Sequence, residues 1–504
     1  MNIKQAKQEI QNTLRAYLAK DELGNYLIPT MRQRPVLLMG PPGIGKTQIM
    51  AQIAAETGVG LVAYTITHHT RQSAIGLPFI QQRTYGGETV QTTEYTMSEI
   101  LASVHHLMET TGIREGILFL DEINCVSETL APMMLQFLQC KTFGNRALPE
   151  GWLIVAAGNP PEYNKSVREF DVVTLDRVKR IDVEEDFAVW KEYARRRGVH
   201  GAVVSYLDIK KEHFYSIETT VDGLQFATAR GWEDLSELIL VYEKLGLKVD
   251  RQVVGQYIQL PRIAKDFANY LELYYKYRRI YHVDDILQGT WQAITVSELR
   301  AAPFDEKLSV MGLVLSRLAD SARAVRLQDA HTTTLHTTLK AFKAGLATQS
   351  PRALLEQFVA ARQTAMQLAK EAGQLDKESR DLKSRELAAL QTYRSRLVDE
   401  DIADEAAFEA VKTWFGGEVA RRKALAEETA AMFDNAFRFL EETFSRGQEL
   451  VMFVTEITAG YDTSWFVENF GCEAYFRHNK ELLFDETQQR IRDSIAAAKG
   501  EQSL

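Results

Sequence analysis

A glycine-rich run that ends in lysine and threonine is the part of the chain best suited to chemistry. It comprises Gly40, Pro41, Pro42, Gly43, Ile44, Gly45, Lys46 and Thr47. In a run of this spacing, backbone N–H groups curl around an anion, the lysine adds a positive charge, and the threonine hydroxyl can bind Mg²⁺. We expect these eight residues and the following Gln48 to bind the phosphates of ATP.

Two adjacent acids, Asp121 and Glu122, follow the apolar segment 117–120. Four apolar residues without alternation are typical of a parallel strand that is covered on both faces, and ligands bind at the carboxyl ends of such strands. We expect Asp121 to hold Mg²⁺ together with Thr47, and Glu122 to polarise the attacking water. Two solvated acids at a strand end are the alternative, and the phosphate loop upstream favours the catalytic interpretation.

Three further polar residues could complete an ATP-hydrolysing site. Asn159 follows an apolar segment, and we expect its amide to hold the attacking water or the γ-phosphate. Arg177 precedes another apolar segment and could reach a phosphate bound by a neighbouring subunit, while Arg230 opens a helical segment and could contact the phosphates of its own subunit. A turn-forming asparagine is the alternative for Asn159, and a surface arginine paired with an acid is the alternative for Arg177.

Alternating strand-like and helix-like segments between residues 31 and 185 predict the framework that positions these residues. They indicate an α/β core with a parallel sheet and helices on both faces. The strands are expected at residues 36–39, 61–66, 117–120, 153–157 and 181–183. The phosphate-binding run follows the first strand and precedes a helix predicted over Gln48 to Glu56. Turn residues in 76–95 and 141–151 predict a projecting loop or hairpin and a second turn-rich piece.

The rest of the chain is predicted to be mainly helical. We expect residues 186–290 to form a helical lid, with ATP bound between core and lid, and residues 291–504 to form a C-terminal domain with a long helical hairpin. Gly416 and Gly417 predict a helix break within that domain. Residues 1–30 should begin with an amphipathic helix. Its apolar face would carry Ile3, Ala6, Ile10, Leu14 and Leu18.

Composition narrows the class of protein. The 504 residues, 45% hydrophobic and 25% charged, are typical of a soluble chain of several domains. A net charge of −9 opposes binding to a polyanion, so nucleic acid is a less favoured partner. Three scattered cysteines favour the reducing cytoplasm, and no membrane span is expected because no apolar run reaches 18 residues. The basic segments 195–197 and 274–279 are more typical of helix ends and helix packing than of nucleic-acid binding.

The order of these motifs resembles the AAA+ ATPases, specifically their MoxR-like and dynein-related branch. The resemblance is carried by GPPGIGKT, ILFLDEIN, AAGNP, LDRVKRI and ATARGWEDL, between about residues 30 and 290. It implies a role for each motif residue. These are Walker A for Lys46 and Thr47, Walker B for Asp121 and Glu122, sensor 1 for Asn159, arginine finger for Arg177 and sensor 2 for Arg230. The family's Leu-Asp-Arg-Phe reads Leu-Asp-Arg-Val here, which leaves Arg168 and Arg180 as alternatives to Arg177.

The resemblance also implies how such a protein works. Segment 76–95 looks like the helix-2 insert and 141–151 like the pre-sensor loop, which in the family line a pore or face a client. Family members form hexameric rings that remodel or activate a partner, often one with a von Willebrand A domain. We therefore expect a chaperone-like, homo-hexameric ATPase with a protein client. An ATP-driven nucleic-acid motor and a slow ATP-dependent scaffold or switch remain alternatives.

Overall fold

A computed structural model describes residues 1–68, 76–86, 88–143, 146–163, 167, 170–220, 223–375, 377–402, 404–445 and 447–481. The chain divides into two compact units, each built from two stretches. One unit comprises Met1–Val189 and Glu356–Gln391, and the other comprises Trp190–Leu355 and Thr392–Leu504. The division into a core at 31–185, a lid at 186–290 and a C-terminal domain at 291–504 stays a prediction.

A parallel sheet lies at the centre of the first unit. Its strands and the two hairpins of the unit are β1 (Val36–Met39), β2 (Gly60–Thr65), β3 (Pro78–Tyr85), β4 (Glu88–Tyr95), β5 (Gly116–Asp121), β6 (Thr142–Phe143), β7 (Arg146–Ala147), β8 (Trp152–Gly158) and β9 (Lys179–Asp182). The sheet has the order β2-β5-β8-β1-β9, with every neighbouring pair parallel. The pairs β3–β4 and β6–β7 are antiparallel hairpins. The five predicted sheet strands are confirmed, each within two residues of its expected bounds.

Helices cover both faces of this sheet. They are α1 (Ile3–Leu18), α2 (Lys46–Thr57), α3 (Glu99–Thr111), α4 (Ala131–Cys140) and the single turn α5 (Val172–Leu175). On one face, strand residues such as Phe119 pack with Ile10 of α1 and Ile53 of α2. On the other face, residues such as Leu118 pack with Val104 of α3 and with α4. The inner strands β1, β5 and β8 read as continuous apolar runs because both of their faces are buried.

The amphipathic helix predicted at the N-terminus is confirmed as α1. The Asn2 side chain accepts a hydrogen bond from the backbone N–H of Gln5, whose own side chain accepts from the backbone of Asn2. This reciprocal cap satisfies two N–H groups that would otherwise lack partners at the helix start. Ala6, Ile10 and Leu14 are buried, so the predicted apolar face is the face that packs in the core.

Helices predominate after residue 186. They are α6 (Phe187–Arg197), α7 (Gly201–Ile209), α8 (Ala229–Leu245), α9 (Arg251–Tyr257), α10 (Pro261–Ile280), α11 (Val283–Gln288), α12 (Ala293–Ala301), α13 (Phe304–Gly345), α14 (Pro351–Glu371), α15 (Lys377–Asp399), α16 (Asp404–Phe444), α17 (Gln448–Ala459) and α18 (Tyr461–Phe470). Residues 473–481 are also helical. A small antiparallel hairpin that the sequence did not predict joins β10 (Ser216–Thr220) to β11 (Gly223–Ala227). Among the residues described here, no helix is long and apolar enough to cross a membrane.

The predicted helix break at Gly416 and Gly417 is wrong, because α16 continues through both residues. Each glycine costs a helix about 1 kcal/mol relative to alanine. Burial of apolar side chains of the same helix, such as Phe433 and Phe437, outweighs that cost. The chain instead reverses between α14 and α15, where Gly373 has φ +68°, a left-handed conformation that ends a helix readily.

Candidate active site

The glycine-rich run forms the loop between β1 and α2, as its position in the sequence predicts. Gly45 precedes the first residue of α2 and has φ +94°, a conformation that side chains with a Cβ rarely adopt. The backbone therefore turns sharply into the helix. The N-terminus of α2 and the loop amides then form a site suited to an anion, since a helix start carries partial positive charge and free N–H groups.

Lys46 connects this loop with the end of β8. Its side chain is buried, with 7% of its surface exposed. The ammonium group donates hydrogen bonds to the backbone oxygens of Gly40 and Pro41, each at 2.7 Å, and to Oδ1 of Asn159 at 2.9 Å. A buried ammonium requires such partners. The structure thus brings together the predicted phosphate-binding lysine and the predicted sensor asparagine.

Thr47 and the acidic pair meet at the carboxyl end of β5. The hydroxyl of Thr47 donates to Oδ2 of Asp121 at 2.7 Å, and the backbone N–H of Glu122 donates to Oδ1 of the same carboxylate at 3.0 Å. Hydroxyl and carboxylate oxygens are the ligand types that Mg²⁺ takes beside waters and phosphates. The two residues predicted to hold the metal therefore lie close enough to share one ion.

Glu122 has an unusual backbone conformation. Its φ is +56°, in the left-handed region that non-glycine residues rarely occupy, and such strain is concentrated at functional sites. One carboxylate oxygen accepts a hydrogen bond from the hydroxyl of Thr67 at 2.8 Å. Thr67 lies just after β2, which neighbours β5 in the sheet. Sequence reasoning missed Thr67, and its only signal was its position near the end of a predicted neighbouring strand.

Asn124 is a second residue that sequence reasoning missed. Its side chain is 2% exposed and donates to the backbone oxygen of Asn159 at 2.8 Å. Its own Oδ1 has no hydrogen-bond partner among the described residues. A Cβ built on Gly158 would lie 2.6 Å from that oxygen, so any larger residue there would have to displace the Asn124 side chain. Asn124 therefore fixes the backbone that presents Asn159, and its spacing of two residues from Glu122 was the available signal.

The three candidate arginines differ in their surroundings. Arg177 is exposed and donates a hydrogen bond to the side chain of Gln139 in α4. Arg180 is engaged with Asp182 of its own strand, with its Nε 2.9 Å from Oδ1. Arg168 lies outside the described residues. Of the two described candidates, Arg180 is paired with a carboxylate of its own strand, whereas Arg177 precedes that strand. Hydrogen bonds from Thr174 and the nearby charge of Arg177 lower the pKa of the Asp171 carboxyl.

Arg230 belongs to the second unit, where it lies in the first turn of α8. The side chain of Thr228 caps this helix by accepting from the backbone N–H of Gly231 at 3.2 Å. Arg230 itself is exposed. A cation at a helix N-terminus is unfavourable by a few tenths of a kcal/mol or more, and attraction to the carboxylate of Asp234, one turn further along α8, offsets part of this cost. Its role as sensor 2 stays a prediction.

The basic segment Arg195–Arg197 is engaged within the second unit. Its first guanidinium pairs with Glu456, and its last lies 3.7 Å from a carboxylate oxygen of Glu233. The middle guanidinium lies over the ring of Tyr461, 4.4 Å from its centroid. These contacts are those of a structural cluster, and they leave less positive charge available to a polyanion.

Comparison with known proteins gives one family match. Residues 35–178 match the AAA domain of the dynein-related subfamily. No curated protein matches the chain.

Three solved structures show remote similarity to the chain. A candidate ATPase from Cytophaga hutchinsonii is 16% identical with a TM-score of 0.22, over 36% of this chain and 50% of that one. NtrX from Brucella abortus, solved with ADP, is 15% identical with a TM-score of 0.27, over 47% and 49% of the two chains. A RuvB variant from Thermotoga maritima is 14% identical with a TM-score of 0.27, over 52% and 70%. The chain thus spans about half the length of the first two.

Proposed function

Because residues 35–178 form an AAA domain of the dynein-related subfamily, we propose that the chain is a MoxR-like ATP hydrolase that remodels or activates a partner protein. One observation carries this proposal. Lys46, Thr47, Asp121 and Asn159 converge at one edge of the sheet, where direct hydrogen bonds connect the lysine to the asparagine and the threonine to the aspartate. A chance glycine turn would not bring these four side chains together.

The residues at this edge would bind different parts of Mg²⁺-ATP. The loop amides and Lys46 would hold the β- and γ-phosphates of ATP. The ammonium already points over the loop, and it would exchange the carbonyl oxygens of Gly40 and Pro41 for phosphate oxygens. Thr47 and Asp121 would hold Mg²⁺, which neutralises charge on the phosphates when bound.

The residues beside this phosphate-binding site would activate the attacking water. Glu122 would orient the attacking water and accept its proton, because its carboxylate follows the strand whose end carries Asp121. Asn159 carries an amide N–H₂ group that can donate to the same water or to the γ-phosphate. Thr67 and Asn124 are positioning residues in this account, since each acts through Glu122 or Asn159.

Arg177 would complete the site of a neighbouring subunit. It is exposed, and its guanidinium would stabilise the charge that develops on the transferred phosphoryl group. Hydrolysis would then require assembly of identical subunits, and the family resemblance suggests a hexamer. Arg230 would act in cis as the sensor of nucleotide state.

The β3–β4 hairpin is the proposed contact with a protein client. It carries exposed apolar side chains, including Phe79, Ile80 at 71% exposure, and Tyr85 at 57%. Apolar groups clustered on an exposed element are typical of interaction surfaces. The resemblance suggests a von Willebrand A domain as the client. The three cysteines, Cys125, Cys140 and Cys472, are scattered along the sequence, which supports a cytoplasmic location.

A subunit-mixing experiment tests the shared site. We expect Arg177→Ala and Lys46→Ala each to abolish ATP hydrolysis alone, and a mixture of the two to recover part of it. In the mixture, an Arg177→Ala subunit keeps Lys46 and receives its arginine from a Lys46→Ala neighbour. Arg180→Ala is the matched control, and it should keep activity because Arg180 pairs with Asp182. Failure to recover activity at any mixing ratio would contradict a site shared between subunits.

The two alternative functions, a nucleic-acid motor and a slow scaffold, predict different ATP turnover. A nucleic-acid motor requires turnover that DNA or RNA stimulates and binding that weakens steeply with salt. The net charge of −9 and the engaged arginines of 195–197 weigh against it. A scaffold requires slow hydrolysis even with its partner present, and steady-state turnover with the captured client separates it from the proposal.

A further inference from the structure

The turn between α14 and α15 contacts the ATPase core, although both helices lie far from it in sequence. Residues Glu356–Gln391 belong to the first unit together with the sheet. The backbone N–H of Leu61 donates to the oxygen of Ala372 at 3.1 Å. The side chain of Gln374 donates to the oxygen of Val59 at 2.9 Å. We call residues 372–375 the hairpin tip.

The tip fits closely against β2. Ala372 is 1% exposed, so its side chain is fully covered. A Cβ built on Gly373 would lie 3.2 Å from both the Cβ and the backbone oxygen of Leu61. The close approach and the left-handed φ of Gly373 both favour glycine at this turn. The tip is thus a specific joint between the hairpin and the strand.

β2 connects this joint to the candidate active site. It is an edge strand of the sheet and, within the part of the chain that the structure describes, pairs with β5 in a register that sets Thr65 opposite Asp121. Ile66 follows β2 and is buried in the core, and the next residue is Thr67, which donates to Glu122 at 2.8 Å. A shift of β2 along β5 would therefore move the hydroxyl that holds the Glu122 carboxylate.

A pocket lies beside the joint. It has a volume of about 290 Å³, opens to solvent, and is lined by β2, by Tyr64 and Ser103, and by Glu371 at the end of α14. The outer edge of β2 is held where the tip contacts Val59 and Leu61.

We propose that the hairpin tip is a positioning device that sets β2, and through Thr67 the carboxylate of Glu122, so that the C-terminal helices control ATP turnover. This inference rests on the proposed ATPase function. The connection is covalent, because α14 begins at Pro351 and α15 ends at Asp399, and both residues belong to the second unit. A movement of either helix would displace the hairpin tip, and the tip contacts the edge strand of the catalytic sheet.

Edge protection is the alternative role for such a contact. An uncovered edge strand can pair with another chain, and natural proteins often cover it with a helix or loop. A tip that only covers the edge would affect β2 beside Val59 and Leu61 and nothing further along. A positioning tip would affect Thr67 and Glu122 as well.

Hydrogen exchange separates the two roles without requiring hydrolysis. Gln374→Ala removes the bond to Val59, and Gln363→Ala, at an exposed glutamine of α14, is the matched control. We expect Gln374→Ala to raise amide exchange at residues 59–62 and also at 65–67 and 121–124, with no change in the control. Faster exchange confined to 59–62, or no change anywhere, would overturn the proposal. This result stands whether or not the protein hydrolyses ATP.

A double-mutant cycle then tests the catalytic consequence. Loss of one hydrogen bond typically corresponds to about a two- to twelvefold change in a rate or equilibrium constant. We expect Gln374→Ala to change kcat by about that factor, in the same direction as Thr67→Val, with little change in KM. The double variant should match Thr67→Val alone, because both changes act through one contact. Independent, multiplicative effects on kcat would show that the tip does not act through Thr67.

Discussion

Replacement of Glu122 by glutamine isolates its chemistry from its structural contacts. Glutamine has nearly the same volume, and its side-chain oxygen can still accept from Thr67 as the carboxylate does at 2.8 Å. The φ of +56° strains both residues equally. We therefore expect the free energy of unfolding to change by less than about 0.5 kcal/mol, and the affinity for Mg²⁺-ATP to be retained. The amide cannot accept the proton of the attacking water.

The expected loss follows from the usual contribution of a general base. That contribution is about 10²–10⁴-fold in rate, which corresponds to about 3–5 kcal/mol of transition-state stabilisation. Phosphate release at saturating ATP measures kcat, and equilibrium binding of Mg²⁺-ATP measures the ground state. Glu150→Gln, at an exposed glutamate of the same unit, is the control and should keep wild-type turnover. Wild-type kcat in Glu122→Gln, or loss of ATP binding together with turnover, would refute the assigned role.

Three other predictions concern stability. Burial lowers the pKa of Lys141 from 10.5 to about 8. Below pH 8 the charged ammonium therefore destabilises the folded state, and the free energy of unfolding rises between pH 8 and 10.5 as the folded state loses this proton. Lys141→Met should therefore raise the free energy of unfolding by about 2 kcal/mol at pH 7, after the loss of the hydrogen bond to Thr30 is subtracted. This gain should vanish near pH 10.5. An equal gain at both pH values, measured by urea unfolding, would contradict the prediction. Gly416→Ala should stabilise by about 0.5–1 kcal/mol, because the added Cβ meets no described atom within 4 Å and α16 is continuous; a lower melting temperature would show that the helix breaks there. Gly158→Ala should cost about 1–3 kcal/mol because its Cβ would displace Asn124, and unchanged thermal unfolding would argue against that close contact.

The inner strands β1, β5 and β8 were predictable because they are buried on both faces. Segments such as 36–39 and 117–120 therefore read as short apolar runs. The phosphate loop was predictable because glycine, lysine and threonine are required at fixed spacing. Asp121 and Glu122 could be placed for the same reason, since they follow a buried run directly.

Contacts between distant parts of the chain were not predictable. Thr67 lies 55 residues from Glu122, and only the order of strands in the sheet brings their side chains together. The tip contact joins residues more than 300 positions apart, and no local pattern near Gln374 indicates it. At Gly416 and Gly417 the error has the opposite sense. The glycine pair locally favours a helix break, but burial of apolar side chains along α16 outweighs that preference. Sequence patterns indicate local preferences, whereas these features depend on packing between residues that are distant in sequence.

The central claim is that a triphosphate binds at the loop around Lys46. Titration calorimetry with ATP in the presence and absence of Mg²⁺ tests it most directly, on the wild-type chain and on Lys46→Ala. We expect saturable, Mg²⁺-dependent binding to the wild type and loss of that binding in the variant, since Lys46 supplies the buried positive charge of the site. Equal affinity in the two proteins, or no binding by the wild type, would contradict the claim.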